Sequence, residues 1–328
     1  MSKIGTGVRL AAALAVAVSL GTGCSASRTP SPSEIATTLP GPGQTPDTPG
    51  PSGLGARLVV LGDGVGGEPG LWTLDSRSHW TALEAAPGAT ALSRTTEGVA
   101  VVTGRRVDSR AVSDLLHPGR VQTLRWPGIS PDAPVAGLDT SPAGKRAVVA
   151  ADGQGFVYGV AAEDGTVTAL SPAPAQSFAP LVAWLDDSRL LVLDADKFEI
   201  SRLGVVDTSA NDISLAQALA GVRVFALSQD RQVIAAATET AIFAGPVETF
   251  LGRTSPQEVV TLGDAQVAWA RALDATGSQF FLMSGTVAPD GSVNSIREIG
   301  YSRQSSGWAK VLDTAVPFQC AIGQVLLG

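Results

Sequence analysis

Six carboxylates occupy sites where short apolar runs give way to turns: Asp63, Glu68, Asp152, Asp194, Asp196 and Glu239. Grouped carboxylates can hold a divalent cation or dock a basic partner segment. Equally, acidic turn residues simply keep a domain soluble. The alternation in Asp194-Ala195-Asp196-Lys197-Phe198-Glu199 is the nearest approach to a calcium loop, but it lacks the glycine turn and terminal Glu of an EF-hand. It reads as a solvated hairpin turn, and Asp186-Asp187 reads as turn chemistry rather than an acid/base pair. Gly62-Asp63-Gly64-Val65-Gly66-Gly67 has the Gly-x-Gly-x-x-Gly spacing of a pyrophosphate cradle. That chemistry needs a following helix. Pro69 and Gly70 fall in its first turn and Leu71-Trp72-Thr73-Leu74 reads as strand, so a loop between two strands is expected. The two histidines, His79 and His117, have no partner motif, and there is no Gly-x-Ser-x-Gly elbow. No catalytic residue, metal ligand or cofactor is assigned.

Composition narrows the partners. The 328 residues carry a net charge of -7, with a pI near 4.9. A nucleic-acid ligand is excluded, because neutralising phosphates needs a basic surface. Two cysteines, Cys24 and Cys320, allow at most one disulfide and no zinc ribbon. Lys3 and Arg9 precede an apolar stretch from Leu10 to Leu20. As a helix it would span roughly 16 Å, about half a bilayer core, which suits an export signal better than a membrane span. Its end, Leu20-Gly21-Thr22-Gly23-Cys24, resembles the lipobox of bacterial lipoproteins, with Gly21 where that family most often has Leu. The resemblance implies removal of residues 1–23, a diacylglyceryl group on the Cys24 thiol, and a membrane-bound mature protein outside the cytoplasm. Ordinary secretory cleavage nearby is the alternative. Cys320, in an apolar strand, reads as a small buried residue.

Residues 24–56 then form a tether. From 25 to 56 there are seven prolines, five glycines, five serines and five threonines, with almost nothing able to pack. In polyproline II form it would reach on the order of 100 Å, at about 3.1 Å per residue. Thr45-Pro46 and Thr48-Pro49 resemble the O-mannosylated stalks of actinobacterial exported proteins, and 19 Arg against 4 Lys fits a GC-rich genome.

The domain spans 57–328. Short Val-, Leu- and Ala-rich runs alternate with Gly, Asp, Ser and Pro turns, which is the pattern of many short strands. Ile213 to Ala220 is the only stretch that reads as a helical turn. A unit of apolar residues, Leu, Ser or Asp, a polar turn and three or four apolar residues recurs. Its leucines are Leu92, Leu138, Leu185, Leu227 and Leu273, at intervals of 46, 47, 42 and 46. A strand-built period in the forties predicts an all-β propeller with four antiparallel strands per blade. Residues 57–61 and 70–75 read as the second and third strands of a blade lacking a first. Val316 to Ile322 reads as that missing strand. Six blades, closed by the C-terminal strand, follow, and closure without open edges predicts a monomer.

The unit Leu138-Asp139-Thr140-Ser141-Pro142-Ala143-Gly144-Lys145 resembles the Ser-Pro-Asp-Gly-Lys turn of TolB-like and WD40-like propellers, with Ala143 in place of the Asp. That resemblance implies an architecture, and function must come from a site. The expectation is a non-catalytic binding or scaffolding module at the cell envelope, with an envelope protein as partner. The alternatives are a propeller lyase or hydrolase using face carboxylates, and an accessory protein that binds a sugar or small ligand. Loops joining second and third strands emerge on one face, which groups the six carboxylates above against Lys197, with Arg105 and Arg106 as partial offset.

Overall fold

Six runs of consecutive apolar residues have both sides covered. In a propeller, the second strand of each blade lies between the two neighbouring blades, so it needs apolar groups on both faces rather than on alternate ones. Leu58 to Leu61, Val99 to Val102, Ala147 to Ala150, Leu190 to Leu193, Val233 to Ala237 and Phe280 to Met283 meet that demand, each residue at most 5% exposed. The computed structural model describes residues 56–328 other than 65–67, 76, 154, 172–173, 175–178, 196–197, 211, 264–265, 274–276, 288–292, 319–320 and 328. Cys24, Asp196, Lys197 and Cys320 lie outside the described residues.

The chain forms six four-stranded antiparallel sheets arranged in a ring, as the repeat predicts. Blade 1 contains β1 (Ala56–Asp63), β2 (Pro69–Asp75) and β3 (Trp80–Ala85). Blade 2 contains β4 (Ala89–Arg94), β5 (Gly98–Thr103), β6 (Arg106–Ala111) and β7 (Arg120–Thr123). Blade 3 contains β8 (Val135–Thr140), β9 (Arg146–Asp152), β10 (Gly155–Ala161) and β11 (Val167–Ala169). Blade 4 contains β12 (Val182–Trp184), β13 (Arg189–Ala195), β14 (Ser201–Asp207) and β15 (Asp212–Ala220). Blade 5 contains β16 (Val224–Leu227), β17 (Val233–Ala237), β18 (Ala241–Pro246), a short helix α1 (Val247–Leu251) and β19 (Glu258–Thr261). Blade 6 contains β20 (Gln266–Leu273), β21 (Gln279–Val287), β22 (Val293–Gln304) and β23 (Gly307–Ala315). The last strand, β24 (Ala321–Leu326), returns to blade 1 and pairs with β1 as its innermost strand.

Closure by the C-terminal strand is as predicted, but the strand itself is Ala321–Leu326 rather than the expected Val316 to Ile322, because Val316, Pro317 and Phe318 lead into it outside the ladder. Leu58 lies opposite Leu326, Val59 opposite Val325 and Val60 opposite Gln324. Phe318, just before β24, packs its ring against Trp72 and Trp80 with centroids 5.7 and 5.4 Å apart. Trp80 also donates from Nε1 to the carbonyl of Ala315 at 3.0 Å. The ring is thus joined at its seam by strand pairing and by an aromatic cluster.

One local expectation is corrected. Ile213 to Ala220 is not a helical turn; it lies within β15, paired with β14. A register shift places Leu215 opposite Gly204 but Ala220 opposite Arg202. An irregularity of this kind breaks the two-residue alternation of a strand, and the inward residues then imitate a helical spacing. The described helix is α1, which buries Phe250 completely.

Candidate functional site

Strands alternate direction outward through a blade, so turns from first to second strands leave one face of the ring. Loops from second to third strands leave the opposite face. On that second face, Asp63 ends β1 and Glu68 is exposed in the loop that follows. Asp152 ends β9, half-buried, and Glu239 is exposed between β17 and β18. Glu239 lies 3.9 Å from Arg223. Arg105 donates to the carbonyls of Ile129 and Ser130. Asp194 stands apart from the others: it is inside β13, 4% exposed, and its Oδ1 accepts the N–H of Ala195 at 2.8 Å. The fold therefore brings Asp63, Glu68, Asp152 and Glu239 to one rim and places Asp194 within a blade. Among the described residues, no group of three or more His, Cys, Asp or Glu side chains is placed to hold a metal ion. Of the Gly62–Gly67 motif, Gly62 lies in β1 and Gly64 just after it, Val65, Gly66 and Gly67 lie outside the described residues, and Pro69–Asp75 is strand β2 rather than a helix. His79 and His117 are exposed, beside Asp75 at 3.9 Å and Asp114 at 2.7 Å.

The other face carries a constellation that did not stand out in the sequence. Innermost strands enclose a central cavity of about 130 Å³. Its walls combine small residues, including Ala91, Gly137, Ala226 and Gly323, with larger apolar ones such as Leu181 and Phe225 and with the polar Ser93 and Gln324. At the first-turn end, Arg94 from β4, Asp139 from β8, and Gln229 and Arg231 from the turn after β16 converge on it. Arg231 Nη1 donates to Asp139 Oδ2 at 3.1 Å, and its Nη2 donates to the Thr140 carbonyl at 2.8 Å. The same carboxylate oxygen accepts the backbone N–H of Trp184 at 2.7 Å. Blades 3, 4 and 5 are thereby tied together. Burial pushes the Asp139 carboxyl up from its ordinary range, against the opposing pull of the Arg231 guanidinium and the Trp184 N–H. Arg94 donates to Gln229 Oε1 at 2.6 Å and to the carbonyl of Leu326. Blades 2 and 5 face each other in a ring of six, so the Arg94–Gln229 bond crosses the channel.

Local backbone structure explains how Arg231 reaches the cavity. In blade 3, the turn from Ser141 to Lys145 closes with Gly144 N–H on Ser141 O at 2.9 Å, and Gly144 has φ +84°. In blade 5, Arg231 N–H bonds Ser228 O at 3.0 Å in the same way, with φ +62°. Gly277 holds the corresponding place before β21, with φ +71°. Arg231 thus adopts a left-handed conformation where two sister blades use glycine. A non-glycine residue held there costs of order 1 kcal/mol, and such strain collects at functional positions. The signal was present in the sequence as Ser228-Gln229-Asp230-Arg231 beside Ser141-Pro142-Ala143-Gly144. Its meaning required knowing that both segments are the same turn.

The fold defines a six-bladed β-propeller. No protein-family model matches the sequence, and no curated relative does. Solved structures do match. TolB from Acinetobacter baumannii superposes with TM-score 0.57 at 10% identity, over 82% of this chain and 66% of its own. A protein of Agrobacterium tumefaciens assigned as a TolB gives 0.54 at 10% identity, over 79% and 90%. A Bacteroides fragilis protein assigned as a 6-phosphogluconolactonase gives 0.45 at 13% identity, over 80% and 83%. The TolB similarities establish a shared propeller fold.

Proposed function

We propose that this protein is a non-catalytic binding module of the cell envelope, using the first-turn mouth of its channel as the binding site. One observation carries the reading: Arg94, Asp139, Gln229 and Arg231, from three blades, converge on one cavity. Concave sites with a few convergent polar groups on apolar walls are where ligands bind. The TolB-like fold agrees with a binding role. The lipobox-like residues ending at Cys24 supply the place: a lipid on Cys24, a tether through residue 56, and the propeller held off the membrane toward an envelope protein.

The reading is tested in the native envelope with a photo-crosslinking residue at position 229 and a control at position 311, on the exposed edge of β23. Saturable adducts at 229, absent at 311, are the expected result. Equal yields at both positions would remove the channel mouth as the binding site. Anchoring is tested separately. Mass spectrometry of the mature N-terminus should show a diacylglyceryl group on Cys24, and a Cys24→Ser variant should leave the membrane fraction. At least two acyl chains are needed for stable anchoring, so an unmodified thiol would contradict the assignment.

A further inference from the structure

We propose that the channel mouth recognises one carboxylate group, received between Arg94 and Arg231; this deepens, and rests on, the reading of the mouth as the binding site. Three observations lead there. The cavity is large enough: its 130 Å³ far exceeds the roughly 10–15 Å³ one water requires. Its described charged lining is Arg94, Arg231 and Asp139, two guanidiniums against one carboxylate. Finally, Arg231 Nε is buried without a hydrogen-bond partner, although both Nη atoms are engaged.

Chemistry selects the ligand. A guanidinium edge matches the planar, two-oxygen geometry of a carboxylate, and charge-assisted bonds strengthen where water is excluded. The excess of one positive charge balances a monoanionic carboxylate, whereas a phosphate dianion would overcompensate it. The cavity of about 130 Å³ admits a slender group, for which Ala91, Gly137, Ala226 and Gly323 leave space between the larger side chains. The strained turn is consistent with this use, because glycine at position 231 would satisfy the backbone and forfeit the charge. Gln229, whose amide oxygen accepts from Arg94, is exposed and sits where an incoming carboxylate would take over that bond.

The carboxylate could belong to a small acid or to the end of a partner protein, and the experiment separates the two. The full-length protein in detergent is titrated calorimetrically with acetate, succinate, inorganic phosphate, and a glycine-rich pentapeptide as free acid and as C-terminal amide. Saturable binding of the acids, or of the free-acid peptide with the amide at least tenfold weaker, is expected. Small acids alone would identify a metabolite-like ligand; the peptide would identify a protein terminus. Arg94→Gln should weaken binding at least tenfold. So should Arg231→Gly combined with Asp139→Asn, which removes the ion pair without stranding a buried charge and relaxes the strained turn. Thermal melting establishes that the variants fold. Binding of phosphate alone, absence of saturable binding, or affinity unchanged in folded variants would overturn the proposal. Crosslinking at 229 without carboxylate binding would overturn it while leaving the binding role intact.

Discussion

Glu298 lies on β22, fully buried, where blade 6 meets β24 of blade 1. Gln324 Nε2 approaches its Oε1 at 3.5 Å while also donating to the Phe281 carbonyl at 3.2 Å. Its Oε2 has no partner. Burial pushes the carboxyl well above its ordinary value, only weakly opposed by Gln324, so the folded protein favours the neutral acid. For an acid raised by folding, the stabilising contribution is complete below the unfolded pKa of about 4.3 and is lost as pH rises toward the folded value. Each pH unit across that window costs about 1.4 kcal/mol. Glu298→Gln should therefore match wild type near pH 4 and exceed it in Tm at neutral and higher pH. Parallel Tm curves would contradict this. Asp186 behaves oppositely: burial works against its ionisation, yet bonds from Ser188 and Arg189 outweigh it and bring the carboxyl to about 2. It is turn chemistry, as the sequence reads.

At the scale of strands and turns, two glycines separate two kinds of constraint. Gly98 opens β5, where a Cβ would come 2.0 Å from the Arg110 carbonyl oxygen. Gly144 has open space around it but a φ of +84°. Gly144→Ala should cost about 1 kcal/mol, from the conformation alone. Gly98→Ala must move backbone and should cost roughly 2–3 kcal/mol or more. Urea midpoints of the two variants rank them, and a smaller loss at Gly98 would refute the steric reading. Arg110, in β6 of blade 2, shows how elements are tied across blades. It pairs with Asp108 at 3.0 Å and with Glu84 of blade 1. Burial alone would lower its pKa, but the two carboxylates outweigh that and raise it.

For the whole molecule, closure is the decisive contact. Phe318, Val325 and Leu326 are each at most 5% exposed. Burial of such side chains contributes about 1.5–3 kcal/mol apiece. Deleting residues 316–328 should then lower Tm by roughly 10 °C or more, at about 2–4 °C per kcal/mol for a domain of this size. It would also leave β1 as an unpaired edge prone to association. An unchanged Tm with monomeric behaviour would show that the seam contributes little.

The period of the leucines, the apolar runs and the orphaned strands at residues 57–75 were enough to determine the propeller, its six blades and its closure, because each blade repeats one local pattern that must bury both faces of its second strand. Sequence alone also located the carboxylate-bearing loops, since turn residues announce themselves by type. Burial depth was not available to it: Asp194, read as a turn residue, lies inside β13 because its strand runs on to Ala195. The helical spacing in Ile213 to Ala220 was a bulge. The channel mouth was decided only by tertiary structure. Arg94 and Gln229 stand 135 residues apart and Asp139 and Arg231 stand 92 apart, and they meet because a closed ring puts every innermost strand around one axis.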